Sequence, residues 1–155
     1  MNVKNSSFLR IILAIVIASF ISLSIHIFLL GWIKPIIALK MQGIIIPHPP
    51  YSQFINFMAY ATIFIPVSAV SFGYYIVGDR ISCDNRLLKG LILGTFILLI
   101  KGALIREPLM NLLVGNPTTI VLLQQSQVWI SNFSMAIVIA FIINPLQSEK
   151  SKKCI

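Results

Sequence analysis

Residues 11–33 read IILAIVIASFISLSIHIFLLGWI, with no Lys, Arg, Asp or Glu among them. As a helix rising 1.5 Å per residue, this run crosses the ~30 Å hydrocarbon core of a bilayer. The basic segment before it, MNVKNSSFLR, gives it the layout of a secretory signal. The apolar region of a cleavable signal is only about 7–15 residues long and closes on small residues. Here the run continues into Gly31-Trp32-Ile33-Lys34-Pro35, which predicts an uncleaved transmembrane helix over 11–33.

The rest of the chain has the same character and no detectable internal repeat. Of its 155 residues, 57% are hydrophobic and 10% charged, with a mean hydropathy of +0.93, outside the balance of soluble domains. Further apolar runs predict helices over 54–77, 87–107 and 117–143, joined by connections too short for a folded soluble domain. The expected architecture is an all-α integral membrane protein, a four-transmembrane-helix bundle forming one domain over residues 1–155. Pro66 should kink the second helix by leaving the Thr62 carbonyl without its donor. Pro108 restricts Glu107 and should end the third helix there. Residues 108–115 then make a short interfacial segment stopped by Gly115, and Asn116-Pro117 start the fourth helix as N-cap and first-turn proline.

Basic residues set the orientation. Lys4, Arg10, Arg80, Arg86, Lys89, Lys150, Lys152 and Lys153 fall on one side of such a bundle, and Lys34, Lys40, Lys101 and Arg106 on the other. The richer side carries both termini, which places them in the cytoplasm. This bias and attraction to anionic headgroups account for the formal net charge of +8, so the partner expected is the lipid bilayer, with no nucleic acid. Cys83 and Cys154 fall on the cytoplasmic side, where thiols stay reduced, and there is no CxxC of the kind used by thiol oxidoreductases. The C-terminal Lys152-Lys153-Cys154-Ile155 resembles the dilysine retrieval signal of eukaryotic endoplasmic reticulum proteins. The match is only four residues long, a basic anchor after a last helix is the ordinary reading, and a bacterial inner membrane is the default location.

Polar positions carry the functional information in so apolar a chain. Ser19, Ser22 and His26 share a face of the first helix, beside a small-residue stripe of Ala14, Ala18 and Ser22. Asn56, Tyr60, Ser71 and Tyr74 line the second, and Gln124, Gln127, Ser131 and Ser134 the fourth. In the third, Gly90 and Gly94 form a GxxxG whose face continues through Ile97 to Lys101. That face suits a second helix of the same chain, a protein partner or a second copy. His26, Tyr60, Lys101, Gln124 and Gln127 all lie roughly 9–15 Å from the outer helix ends. They define an expected polar layer, with Arg106 and Glu107 as an ion pair at its rim.

Two readings of that layer follow. In one, Lys101 snorkels to the outer headgroups and His26 is satisfied by Ser22 or a glutamine. In the other, an outward-facing pocket offers Lys101 as fixed positive charge and His26 as a titratable group to an anion. Catalysis has little to stand on. The only acids are Asp79, Asp84, Glu107 and Glu149, no intramembrane carboxylate pair exists, and two histidines do not make a catalytic zinc site. His48 belongs to the proline-rich connector Ile46-Pro47-His48-Pro49-Pro50-Tyr51. No metal or other cofactor is expected. A non-enzymatic accessory or interaction subunit is the first expectation, and small-solute or anion transport or binding around Lys101 and His26 the second.

Overall fold

The computed structural model describes residues 3–40, 52–81, 83 and 85–143. Among them every regular element is helical. They are α1 (Val3–Lys40), α2 (Gln53–Ala61), α3 (Phe64–Val77), a 3-10 turn (Gly78–Arg80), α4 (Arg86–Lys101), α5 (Arg106–Leu113) and α6 (Thr118–Ile142). The loop with His48 and the tail with Cys154 and its paired lysines lie outside the described residues.

Two helices are long and apolar enough to cross a membrane, α1 over Ser7–Leu39 and α6 over Thr118–Ile142. The first exceeds the expected 11–33 at both ends, because the helix runs through Pro35 instead of stopping before it. Ile36, Ile37 and Leu39 keep the apolar run going, and helices in apolar surroundings tolerate a proline that costs one backbone bond. Large apolar side chains such as Phe20, Phe28 and Trp32 stand exposed along α1, as a lipid solvent permits.

The expected second and third helices are each broken in two. The first break falls at Thr62–Ile63, four residues before Pro66, where the proline removes a bond. The Thr62 carbonyl is nevertheless occupied, accepting from the Ile65 N–H at 3.2 Å. Pro66 then sits in the first turn of α3, where an N–H is not needed. The other break comes earlier than Pro108 would put it. Gly102, at φ 74°, caps α4 in the left-handed conformation and donates to the Leu99 carbonyl, a stop that glycine makes without steric cost. The chain turns over 102–105 and resumes as α5, bent 44° from α4. Taken together, the bent pair would make a third span. Pro108 belongs to the first turn of α5. Gly115 stops that helix region at φ 85°, but Asn116 makes no cap for α6; its amide reaches back to Asn111 Oδ1 at 3.2 Å.

α6 is the hub of the packing. It lies against α1 on one side and α4 on the other, while α3 packs mainly on α1, and α3 and α4 share little packing with each other. The core joins Ala14 and Ala18 of α1, Val67 and Tyr74 of α3, Ile97 of α4, and Met135, Ala136 and Ile139 of α6. A Cβ at Gly90 would lie 2.6 Å from the Ile137 Cα, and one at Gly94 2.5 Å from Phe133 Cδ1. The GxxxG face is therefore packed against α6 of the same chain.

One turn before Gly90, in the same interface, the Arg86 guanidinium donates from Nη1 to the Phe141 carbonyl at 3.2 Å. Phe141 belongs to the last turn of α6, where carbonyls lack helical donors and a cation meets the negative end of the dipole. Arg86→Gln is expected to lower stability by about 1 kcal/mol. Thermal unfolding in detergent reads this as a lower Tm, and an unchanged Tm would show that the contact contributes nothing.

Candidate functional site

Lys101 is the last residue of α4. Side chains on a helix lean toward its N-terminus, so this lysine is aimed back along α4, away from the Gly102 turn. Gly90 lies against Ile137 and Gly94 against Phe133, an antiparallel register that sets the Lys101 backbone opposite Ser126. Asn132 is six residues deeper along α6, about 9 Å along the axis. The Lys101 ammonium nonetheless reaches it, donating to Asn132 Oδ1 at 2.9 Å, while Asn132 Nδ2 donates to the Val128 carbonyl at 2.8 Å. Lys101 as a whole remains exposed, but its ammonium is turned to Asn132 of α6. Outward snorkelling, the bland expectation for this residue, is not the conformation adopted.

α1 and α6 are tied in register at the same level. The Ser131 hydroxyl donates to the Ser22 carbonyl at 3.0 Å and stands 2.8 Å from the Ser22 hydroxyl, which is left to donate to it. One turn away, Gln127 donates from Nε2 to the His26 main-chain carbonyl at 2.8 Å. Ser22 and Gln127 are thus engaged with other atoms, and neither satisfies the His26 ring as the sequence suggested.

These groups border a cavity of ≈ 400 Å³, within the range of small-molecule sites. Ser22, His26, Thr62, Lys101, Ser131 and Asn132 supply its polar wall. Its apolar wall comes mainly from Leu23, Ile63, Pro66 and Val67. Both helix breaks abut it: Thr62 and Ile63 are the α2–α3 break, and Lys101 immediately precedes the α4–α5 break. Among the described residues no carboxylate lines the cavity. The arrangement can hold an anion chiefly through its one ammonium, since the Ser22, Ser131 and Asn132 donors are already engaged.

The expected layer is only partly gathered here. His26 and Lys101 share the cavity. Gln127 is buried beside it, at 5% exposure, and serves to join α6 to α1. Gln124 is exposed and stands apart, since α6 has few neighbours to cover that face near its start. Tyr60 lies in α2, but its side chain is outside the described residues, and Thr62 occupies that side of the cavity. Arg106 and Glu107 open α5 instead of ending the third helix expected over 87–107. Both are exposed, and with Lys101, Met110 and Asn111 they border a second cleft. Among the described residues, no ion pair joins them.

Three polar residues outside the expected layer belong to this region of α6. Asn132, the acceptor for Lys101, lies off the stripe that runs through Gln127 and Ser131. Its signal was simple polarity in an apolar run. Trp129 donates from Nε1 to the Ala103 carbonyl at 2.9 Å and ties the α4–α5 turn to α6. Gln125 is buried with its Oε1 unpartnered. Among the described residues, no three of His, Cys, Asp and Glu gather as metal ligands. Compared with protein-family models, with curated proteins and with solved structures, the chain matches none.

Proposed function

We propose that this chain is a non-enzymatic, multi-pass membrane protein that binds an anionic group inside the membrane, for transport or for sensing. The observation that carries the reading is the inward-turned ammonium of Lys101, held by Asn132 at the wall of a cavity that also contains His26. An intramembrane cation is costly and ordinarily faces an interior or a wet space where it has work to do. Broken helices at membrane depth are tolerated where they line a cavity, and many membrane binding sites are built from them. Both breaks in this chain meet at one cavity, which supports the same reading.

The topology proposed with it has four crossings: α1, the α2–α3 pair, the α4–α5 pair and α6. Both termini then lie on the side richer in Lys and Arg, the cytoplasm. An accessory subunit held through Gly90 and Gly94 is the weaker reading, because α6 occupies that face.

Native mass spectrometry of the protein extracted in mild detergent tests the proposal, comparing wild type with Lys101→Ala and His26→Ala. The expected result is an anionic small molecule or lipid that wild type retains and Lys101→Ala loses, with both forms equally monodisperse; His26→Ala should weaken retention. A stoichiometric protein kept by all three forms would restore the accessory reading. Equal retention of every small ligand by wild type and Lys101→Ala would remove the site.

A further inference from the structure

Resting on that reading, we infer that the oxyanion received by Lys101 is carried on a lipid, whose head enters the cavity and whose acyl chain leaves between α3 and α4. The shared chemistry of the site is an oxyanion bound by one ammonium, which has two N–H groups left after its bond to Asn132. It has two sources, a lipid headgroup and a free anion, and the cavity's surroundings distinguish them.

Sideways, the cavity faces a gap. α1 and α4 both pack on α6, and α3 packs on α1, but α3 and α4 share little packing with each other. Lys101 and Pro66, which border the cavity from these two helices, are each immediately preceded in sequence by a strongly exposed apolar residue: Ile100 is 85% exposed and Ile65 70%. The wall supplied by α3 is apolar at Ile63, Pro66 and Val67. A ligand held here meets a cation at one end and hydrocarbon at the other, the two halves of an anionic lipid. No carboxylate among the described residues stands on this route.

The aqueous route is less suited to an anion. It runs from the outer cleft that Lys101 shares with Arg106, Glu107, Met110 and Asn111. The Glu107 carboxylate there offsets the Arg106 charge, and a free anion would exchange full hydration for a site with one ammonium. A lipid head already at the interface loses less hydration. Its chain also gains the contacts that the open α3–α4 seam leaves unmade.

The test uses the full chain in phosphatidylcholine nanodiscs containing a minority of phosphatidic acid with a photoreactive diazirine at its acyl terminus. Wild type is expected to be labelled on α3 and α4 beside the cavity. Unlabelled phosphatidic acid should compete for that labelling, and inorganic phosphate should not. Lys101→Gln keeps a donor for Asn132 and should preserve the fold, which a matching thermal melt checks, while reducing the labelling at least about tenfold. Ile63→Trp narrows the apolar wall with the charge intact and should reduce it as well.

Phosphate that binds in a Lys101-dependent way, without site-specific lipid labelling, would overturn the lipid inference and leave the anion site standing. Labelling spread over all exposed helices and indifferent to Lys101→Gln would mean annular lipid only, and would likewise overturn it. If neither probe binds in a Lys101-dependent manner, the anion-binding function falls with it.

Discussion

Leucine in place of Gly90 is expected to destabilise the bundle by about 3 kcal/mol or more, the upper end of overpacking effects. The first atom of the new side chain would stand 2.6 Å from the Ile137 Cα and 3.2 Å from its nitrogen. Backbone of a packed helix cannot step aside as a side-chain tip can, so α4 must move away from α6. That movement carries Arg86, Ile97 and Lys101 with it, and so reaches both ends of the interface. Gly94→Leu should cost less, about 1–2 kcal/mol, because its nearest obstacle is an edge of the Phe133 ring at 2.5 Å, with the Phe133 Cα at 3.3 Å. Gly73 has nothing within 4 Å of its Cβ position and makes the control, with Gly73→Leu close to neutral. Unfolding in detergent should rank the variants Gly90, Gly94, Gly73. Losses independent of protein concentration would place the contact within one chain, whereas equal small effects at all three would show that α4 and α6 do not approach so closely.

Asn132→Leu is expected to cost about 2–3 kcal/mol, because it removes the acceptor of a charged hydrogen bond in an apolar setting. Lys101→Met should behave quite differently. It removes the cation itself and leaves Asn132 bonded to the Val128 carbonyl, so stability should be unchanged or slightly raised while anion binding disappears. Combining the two should restore most of what Asn132→Leu loses, giving a coupling of about 2 kcal/mol in a double-mutant cycle. A neutral Asn132→Leu would mean that the ammonium escapes to the headgroups without penalty. The cavity would then lose its charge, and with it the grounds for an anion.

Register explains why the charge is held inward. Ser22 with Ser131 and the His26 carbonyl with Gln127 align α1 on α6; Gly90 with Ile137 and Gly94 with Phe133 align α4 on it from the other side. Two antiparallel seams on one helix thus bring Lys101, from the end of α4, to the level of Ser22 and Ser131. The serine pair and the glutamine amide are satisfied within these seams. Among the polar groups of the cavity, Lys101 has the largest unspent donor capacity, since one bond to Asn132 uses only one of its three N–H groups.

Hydrophobic run length and small-residue spacing act locally, which is why the sequence by itself determined the helical class, the two long apolar helices, the break upstream of Pro66, the close approach at Gly90 and Gly94, and the polarity of Lys101 and His26. The stop at Gly102 was also a local feature, hidden because Pro108 looked like the stronger signal. Only the tertiary structure decided which polar groups meet. Helical angle places Gln124 near Gln127, yet α6 is covered at one and bare at the other. Asn132 falls off the sequence stripe, and it faces Lys101 because α6 receives α1 and α4 on two different sides. A period of 3.6 residues gives direction around one helix. Which neighbour stands in that direction, and at what depth, depends on inter-helix register, and that is set by packing among residues far apart in the chain.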